Sequence, residues 1–508
     1  MLTGDMLRRA AQRFPAKTAV IWQDARMSYR DVDAQANQVA HGLRALGLSK
    51  GSKVAILCRN RPEYVTVFFG AARSGCVLVN VSVLYSAEEL EYVLGKADVE
   101  VLLYEEAFAD KVAAAVPRLP RLQRRFEIGG PSEAASCWPR FLAAQPATDP
   151  IVDIDEDDPF CMTYTGGTTG RPKGVLASHR ARAVTAHTVV VESQLHESDV
   201  VAIVTPLFHV AALNIMLQPA VLLGATVVLF TKWDATHFAQ AGRRHGITAA
   251  FMVPTQVSMV VSDPAFDADD HASWRKLNFS GAPMPDWVQR VVLEKLPNLR
   301  LTQFYGQSEM GIVAVLKHGD LPAKLGSVGR QAYNADLAVL DPQGRPVGPG
   351  EVGEICARGE NVMLEYYGEP DQTAAFQAHG WAWSGDLATI DDDGFLRLVD
   401  RSKDMIISGG ENIYPKEVEN ILYEHGAVAE CAVFGTPDSV WGELPAAHVQ
   451  LKPGSNVTEA ELIDYCAQRL ARFKRPRFIK LVDDFPKTAI GKIQKNILRA
   501  QYGPATKR

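Results

Sequence analysis

Short runs of β-branched and other apolar residues recur along this chain at 53–58, 76–81, 101–104, 225–230, 249–253 and 301–305. Between them lie stretches with helical spacing, such as Val32, Ala36, Val39, Leu43 and Leu46. Strand-length runs alternating with helical faces demand an α/β architecture built from crossover units. At 508 residues the chain holds more than one compact core can use, so several structural units are expected. From about 335 to 359 the texture changes to short strands and Gly/Pro turns, which predicts a small β-rich piece. Beyond Asp400 the pattern predicts a compact α+β unit: a helix from Lys416, strands near 429–434 and 446–451, and a helix from Glu459. Residues 147–159, rich in Asp, Glu and Pro, read as an exposed connection and a candidate subdomain seam.

Charge and cysteine usage narrow the function classes. Lys plus Arg at 53 against Asp plus Glu at 59 gives a net charge of −6, no footprint for a polyanion, so nucleic acid is not an expected partner. The seven cysteines are scattered, with no CxxC pair or paired His spacing, which points away from a disulfide framework or structural zinc and toward a reducing, cytoplasmic setting. Residues 1–15 carry Asp5, Arg8, Arg9 and Arg13, unlike a secretory signal, and read as an amphipathic surface helix. The uncharged stretch 200–231 is interrupted by Pro206, His209, Asn214, Gln218, Pro219 and Gly224; it predicts strand, helix and strand rather than a membrane span.

The strongest local signal is Tyr164-Thr165-Gly166-Gly167-Thr168-Thr169-Gly170-Arg171-Pro172-Lys173-Gly174. Glycines let backbone N–H groups close on a phosphate, threonine hydroxyls add donors, and Lys173 adds a mobile positive charge. The string is not a Walker A loop, because Pro172 precedes Lys173 and Gly174 follows it. Gly348-Pro349-Gly350-Glu351-Val352-Gly353 matches GxGxxG literally, but it lacks the strand-turn-helix context and reads as a turn.

With this loop the sequence resembles the adenylate-forming superfamily of acyl-CoA synthetases, aryl-CoA ligases, peptide-synthetase adenylation domains and luciferases. Pro206-Leu207-Phe208-His209, Tyr305-Gly306-Gln307-Ser308-Glu309, Ser384-Gly385-Asp386, Asp400-Arg401-Ser402-Lys403-Asp404, Ser408-Gly409-Gly410-Glu411-Asn412 and Pro486 through Lys492 match the family's motifs in the family's order. Gly166 departs from the pattern, standing where the family more often has Ser. The resemblance implies a site for ATP, Mg²⁺ and coenzyme A. Tyr305 would face adenine beside Gly281, Ala282 and Pro283. Ser308, flanked by Gly306 and Gln307, would meet the α-phosphate. Glu309 would hold Mg²⁺. Asp386 and Arg401 would hold the ribose, and Ser408, Gly409, Gly410 and Trp441 would line the pantetheine tunnel. Lys492, with Glu309, Thr165 and His209, would make up the catalytic set, the lysine bridging carboxylate and α-phosphate as charge develops.

The resemblance also implies an N-terminal ATP- and acyl-binding domain over 1–402 and a mobile C-terminal domain over 403–508 turning about Lys403 between adenylation and thioesterification. By the same analogy a homodimer is the expected assembly. The acyl pocket would be lined by His209, Val210, Ala211, Leu213, Asn214, Met252, Val253, Gly306, Ile312 and Val313, mostly apolar, with no acid to pair an amino group. The expected substrate is a fatty or aryl carboxylic acid. Asn214 is the polar exception, bonded either to a ring substituent or to backbone. Two other readings stand beside the ligase: transfer of the acyl group to a carrier-protein thiol, and a non-catalytic acyl or nucleotide-binding protein.

Overall fold

The computed structural model describes residues 1–129, 137–165, 171–282, 284–409, 411–487 and 493–502. The chain divides into two compact units, the first formed by Met1–Leu337 with Ala357–Ala382, the second by Ala338–Cys356 with Trp383–Arg508.

Among the described residues the first unit holds a nine-stranded and a seven-stranded sheet. The nine-stranded sheet has a parallel centre of Arg300–Gln307, Lys276–Phe279, Ala249–Met252, Val200–Ile203, Thr226–Leu229 and Thr18–Trp22. Antiparallel strands Gly311–Lys317, Arg330–Gln331 and Ala25–Ser28 finish its edges. The seven-stranded sheet runs in parallel through Pro159–Thr165, Val77–Asn80, Lys53–Leu57, Val101–Glu105 and Arg124–Ile128. Its other edge is the antiparallel pair Lys173–Ser178 and Glu365–Tyr366. All six apolar runs picked out in the sequence are strands, buried on both faces as parallel strands between helices must be. The helix Tyr29–Ala45 buries Val32, Ala36, Val39 and Leu43, and a Ser28/Asp31 capping box starts it.

Two local expectations need correction. The helix Thr3–Arg13 is no surface element: Met6, Leu7 and Ala10 are fully buried, because its apolar stripe packs on helices of the first unit. Residues 147–159 are largely exposed, but no seam lies there, since the connection joins strands Arg124–Ile128 and Pro159–Thr165 of one sheet.

The second unit carries a four-stranded sheet, Asp336–Leu340, Gly353–Arg358, Ala382–Ile390 and Leu396–Arg401, the first three strands crossing the unit limits. It also carries a five-stranded sheet of Glu411–Ile413, Ile406–Ser408, Gly442–Leu451, Val428–Asp438 and Phe478–Leu481. Helices Pro415–Tyr423 and Glu459–Ala467 pack Val418, Leu422 and Leu462 against Val433, Ala447 and Val449. The small β-rich piece therefore packs with the C-terminal residues, so the compact units do not part at 402/403. A boundary of packing is a different quantity from a boundary of motion.

Candidate active site

The carboxyl ends of the parallel strands of the nine-stranded sheet gather most of the expected residues. His209 follows Val200–Ile203, Val253 follows Ala249–Met252, Gly281 follows Lys276–Phe279, and Arg300–Gln307 ends in Tyr305, Gly306 and Gln307. In open α/β sheets ligands bind outside this edge. Gly281, at φ +89°, lies beside Val253, a Cβ there standing 3.7 Å from the valine Cγ1. That contact joins the expected adenine-side loop to the expected acyl pocket.

The acyl-side segment takes an unusual form. Ala211–Leu217 is a π-helical turn running into the helix Gln218–Leu223, a geometry that often marks functional sites. His209, Val210 and Ala211 are half-buried; Leu213, Asn214, Met252, Ile312 and Val313 are buried. The Asn214 Oδ1 finds no hydrogen-bond partner among the described residues, backbone included.

Gly306 is required by the sheet itself. A Cβ there would lie 1.8 Å from the Gly311 carbonyl oxygen on the adjoining strand, at the point where the pairing register shifts between Tyr305 and Gly306.

The two sheets of the first unit meet at Glu309. Its Oε1 accepts the Tyr366 hydroxyl at 3.0 Å and the Thr165 hydroxyl at 3.5 Å, and its backbone oxygen accepts the Met363 N–H at 2.7 Å. The Asn361 amide donates to the Met310 and Ile312 carbonyls, tying the same loop to the Glu309 turn. Thr165 pairs with Lys173 on the adjacent antiparallel strand, which sets these two residues side by side in the sheet. The Lys173 ammonium lies over the Tyr366 ring at 4.9 Å from its centroid. Burial, reinforced by Glu309, drives the Tyr366 phenol pKa far up, and the hydroxyl stays a donor at neutral pH. A carboxylate and a hydroxyl converging beside a lysine are hard-oxygen donors and a cation, a set that fits Mg²⁺ and a polyphosphate.

In the second unit Asp386 and Arg401 are register partners on adjacent strands, with Arg401 Nε 3.2 Å from Asp386 Oδ1. Glu354, on the neighbouring strand Gly353–Arg358, holds the residue before Asp386 by accepting the Gly385 N–H at 2.7 Å. The expected hinge residue Lys403 lies in the 3₁₀ turn Ser402–Asp404, where burial, with Arg401 next, lowers its pKa. The two expected tunnel segments also meet: Ser408 pairs with Gly442, and the Gly409 N–H donates to the Trp441 carbonyl at 2.8 Å. A Cβ on Gly409 would stand 2.6 Å from the Trp441 ring, so the glycine makes room for the indole, and its φ of +60° is left-handed.

Gly166, Gly167, Thr168, Thr169, Gly170, Pro283, Gly410 and Lys492 lie outside the described residues. Tyr366 is the member that sequence reading missed. It sits in a two-residue strand 57 residues from Glu309, too short for any periodic signal.

Comparison with known proteins gives this geometry a family. The model of the AMP-binding enzyme matches residues 7–367, well over half of the chain. The chain belongs to the AMP-binding enzyme family. This AMP-binding enzyme also matches the AMP-binding enzyme C-terminal domain over 417–492. It is 37% identical to a feruloyl-CoA synthase of Amycolatopsis sp., over 97% of this chain and 98% of the relative. It is 33% identical to the long-chain-fatty-acid–CoA ligase FadD13 of Mycobacterium tuberculosis, over 98% of each. Among solved structures, the anthranilate CoA ligase AuaEII in complex with anthranoyl-AMP superposes with a TM-score of 0.90 at 30% identity, covering 99% of this chain and 97% of that one. The AMP-binding enzyme described here is thus a member of the adenylate-forming acyl-CoA synthetase superfamily, with a large N-terminal and a small C-terminal part.

Proposed function

We propose that the protein is an ATP-dependent carboxylate:CoA ligase acting on aryl or fatty acids. The observation that carries the reading is the convergence of Thr165, Lys173, Glu309 and Tyr366 where the two sheets join, at the carboxyl edge that also carries the acyl-side residues. Lys173 and the Thr165 hydroxyl neutralise and orient the phosphates, and Tyr366 aims Glu309 by holding one of its oxygens. Mg²⁺, held by Glu309, would supply charge neutralisation between the phosphate oxygens. Tyr305 with Gly281 and Ala282 receives adenine, and Asp386 with Arg401 receives the ribose. The acid enters past His209 into the pocket of Leu213, Met252, Ile312 and Val313.

A carboxylate oxygen attacks the α-phosphorus, the bond to the β-phosphate oxygen breaks, and pyrophosphate leaves. Lys492 bridges the two anions as they meet. The CoA sulfur, its proton lost to solvent, then attacks the acyl carbon, and AMP departs with the bonding pair. Rotation of residues 403–508 about Lys403 exchanges Lys492 for the pantetheine path beside Gly409 and Trp441. Seven unpaired, buried cysteines suit a reducing compartment such as the cytoplasm, and among the described residues no helix is long and apolar enough to cross a membrane.

The test is mass spectrometry of CoA products after incubation with ATP, Mg²⁺, CoA and pooled aromatic, cyclic and straight-chain acids, with Lys492→Ala alongside. We expect a thioester whose mass names the acid, and a loss in adenylate formation of about 10² or more in the variant. Thioester formation from supplied acyl-adenylate should fall far less. Acyl-adenylate and pyrophosphate without thioester would replace CoA by another acceptor, and no AMP from any acid would overturn the enzyme reading.

A further inference from the structure

The C-terminal helix Lys495–Ala500 begins three residues after Lys492, and the described residues flanking that lysine are pinned together. Lys487 forms a bridge with Ile493, the Gln494 N–H donates to the Pro486 carbonyl at 2.8 Å, and Lys487 pairs with Glu430 at 2.6 Å. Lys495 pairs with Glu419 at 2.7 Å, and Leu498 is buried against Phe434 and Ala446. The helix is therefore a fixed part of the C-terminal fold. From its outer end Arg499 reaches back across the sequence to the turn Ser402–Asp404. One terminal nitrogen donates to the Lys403 carbonyl at 3.4 Å and lies 3.1 Å from the Asp404 carboxylate; the other donates to the Asp404 carbonyl at 3.2 Å. A planar guanidinium can hold two carbonyls and a carboxylate at once, whereas an ammonium is a single point.

A carbonyl oxygen fixes its peptide plane. With the oxygens of Lys403 and Asp404 both fastened to the helix, the peptides on either side of Asp404 move with the C-terminal part, and φ and ψ of Asp404 are held. Rotation then falls on φ and ψ of Lys403 and on torsions before it. We propose that Arg499 is a positioning residue that confines the rotation to this pivot and makes the turn one piece with the helix that follows Lys492. The inference rests on the ligase reading and its rotation about Lys403.

A double-mutant cycle tests it. Arg499→Met keeps much of the side-chain length and removes the donors; Arg499→Lys keeps the charge beside Asp404 without the fork; Lys403→Pro fixes φ of the pivot. Steady-state thioester formation, the KM values for ATP and acid, and thermal midpoints are measured for each, with wild type as reference. Arg499→Met should lower kcat about tenfold, the scale of coupling between groups in contact, with KM values within about twofold, and Arg499→Lys should fall between it and wild type. In the Lys403→Pro background the same change should cost less than about twofold, because the pivot it sharpens is already lost. Equal tenfold losses in both backgrounds, or no loss in either, would overturn the proposal, as would a kcat loss in Arg499→Met that comes with a collapsed thermal midpoint. If wild type makes no thioester, the ligase reading fails before the role of Arg499 is reached.

Discussion

His179 is fully buried at the start of the helix His179–Ser193, its ring stacked on Phe160 at 4.7 Å and its Nδ1 accepting the Thr3 N–H at 3.4 Å. Burial drives its pKa down to about 4 against the partial opposition of Asp158. The sign follows from proton counting: between the ordinary value near 6.5 and about 4, the unfolded chain binds a proton that the folded one excludes. Stability therefore falls as pH drops through that window and levels off below it. Urea unfolding at about pH 7 and about pH 5 should show His179 alone removing about 2 kcal/mol at the lower pH, and a His179→Phe variant should lose that much less. Equal slopes for the two proteins would refute the assignment. At this scale the sequence disclosed residues whose neighbours form a string, such as Glu309 in Tyr-Gly-x-Ser-Glu. It could not disclose Tyr366, whose only link to Glu309 is spatial.

The hairpin of Arg300–Gln307 with Gly311–Lys317 shows how an element constrains chemistry beside it. Its strands close so tightly at the register shift that Gly306 has no room for a methyl group against backbone. Gly306→Ala should cost several kcal/mol, in the range of severe core defects, and lower the thermal midpoint and activity together. A folded variant of wild-type stability with altered acid preference would instead make Gly306 a pocket residue alone. Elements with strong period or strong β-branching were legible: the six runs are strands, and Val32 to Leu43 is one helix face. The burial of Thr3–Arg13 was not, because a short amphipathic helix has the same pattern whether its apolar stripe meets a core or a surface groove. The strand Glu365–Tyr366 owes its existence to the edge of Lys173–Ser178 rather than to its own residues.

Across the whole molecule the seven cysteines are free and buried, and desolvation raises the thiol pKa values where they shift, to about 11 for Cys76 and Cys466. Ellman's reagent should find almost no fast-reacting thiol in the native protein and all seven in denaturant; a rapid native equivalent would expose an opening of the core. The α/β class and a distinct C-terminal part were legible from pattern and motif order. The allegiance of 338–356 to the second unit was not, since sheet pairing over such distances leaves no local mark. The same long-range pairing sets a timetable. Thr18–Trp22 has as its inner neighbour Thr226–Leu229, so at ~5–20 residues per second the first strand waits roughly 10–40 s on the ribosome for its partner. Lys173–Ser178 likewise waits for Glu365–Tyr366, and Glu309 receives its tyrosine only then. A chain halted between these points presents an open sheet edge, the form from which strand-to-strand aggregation starts.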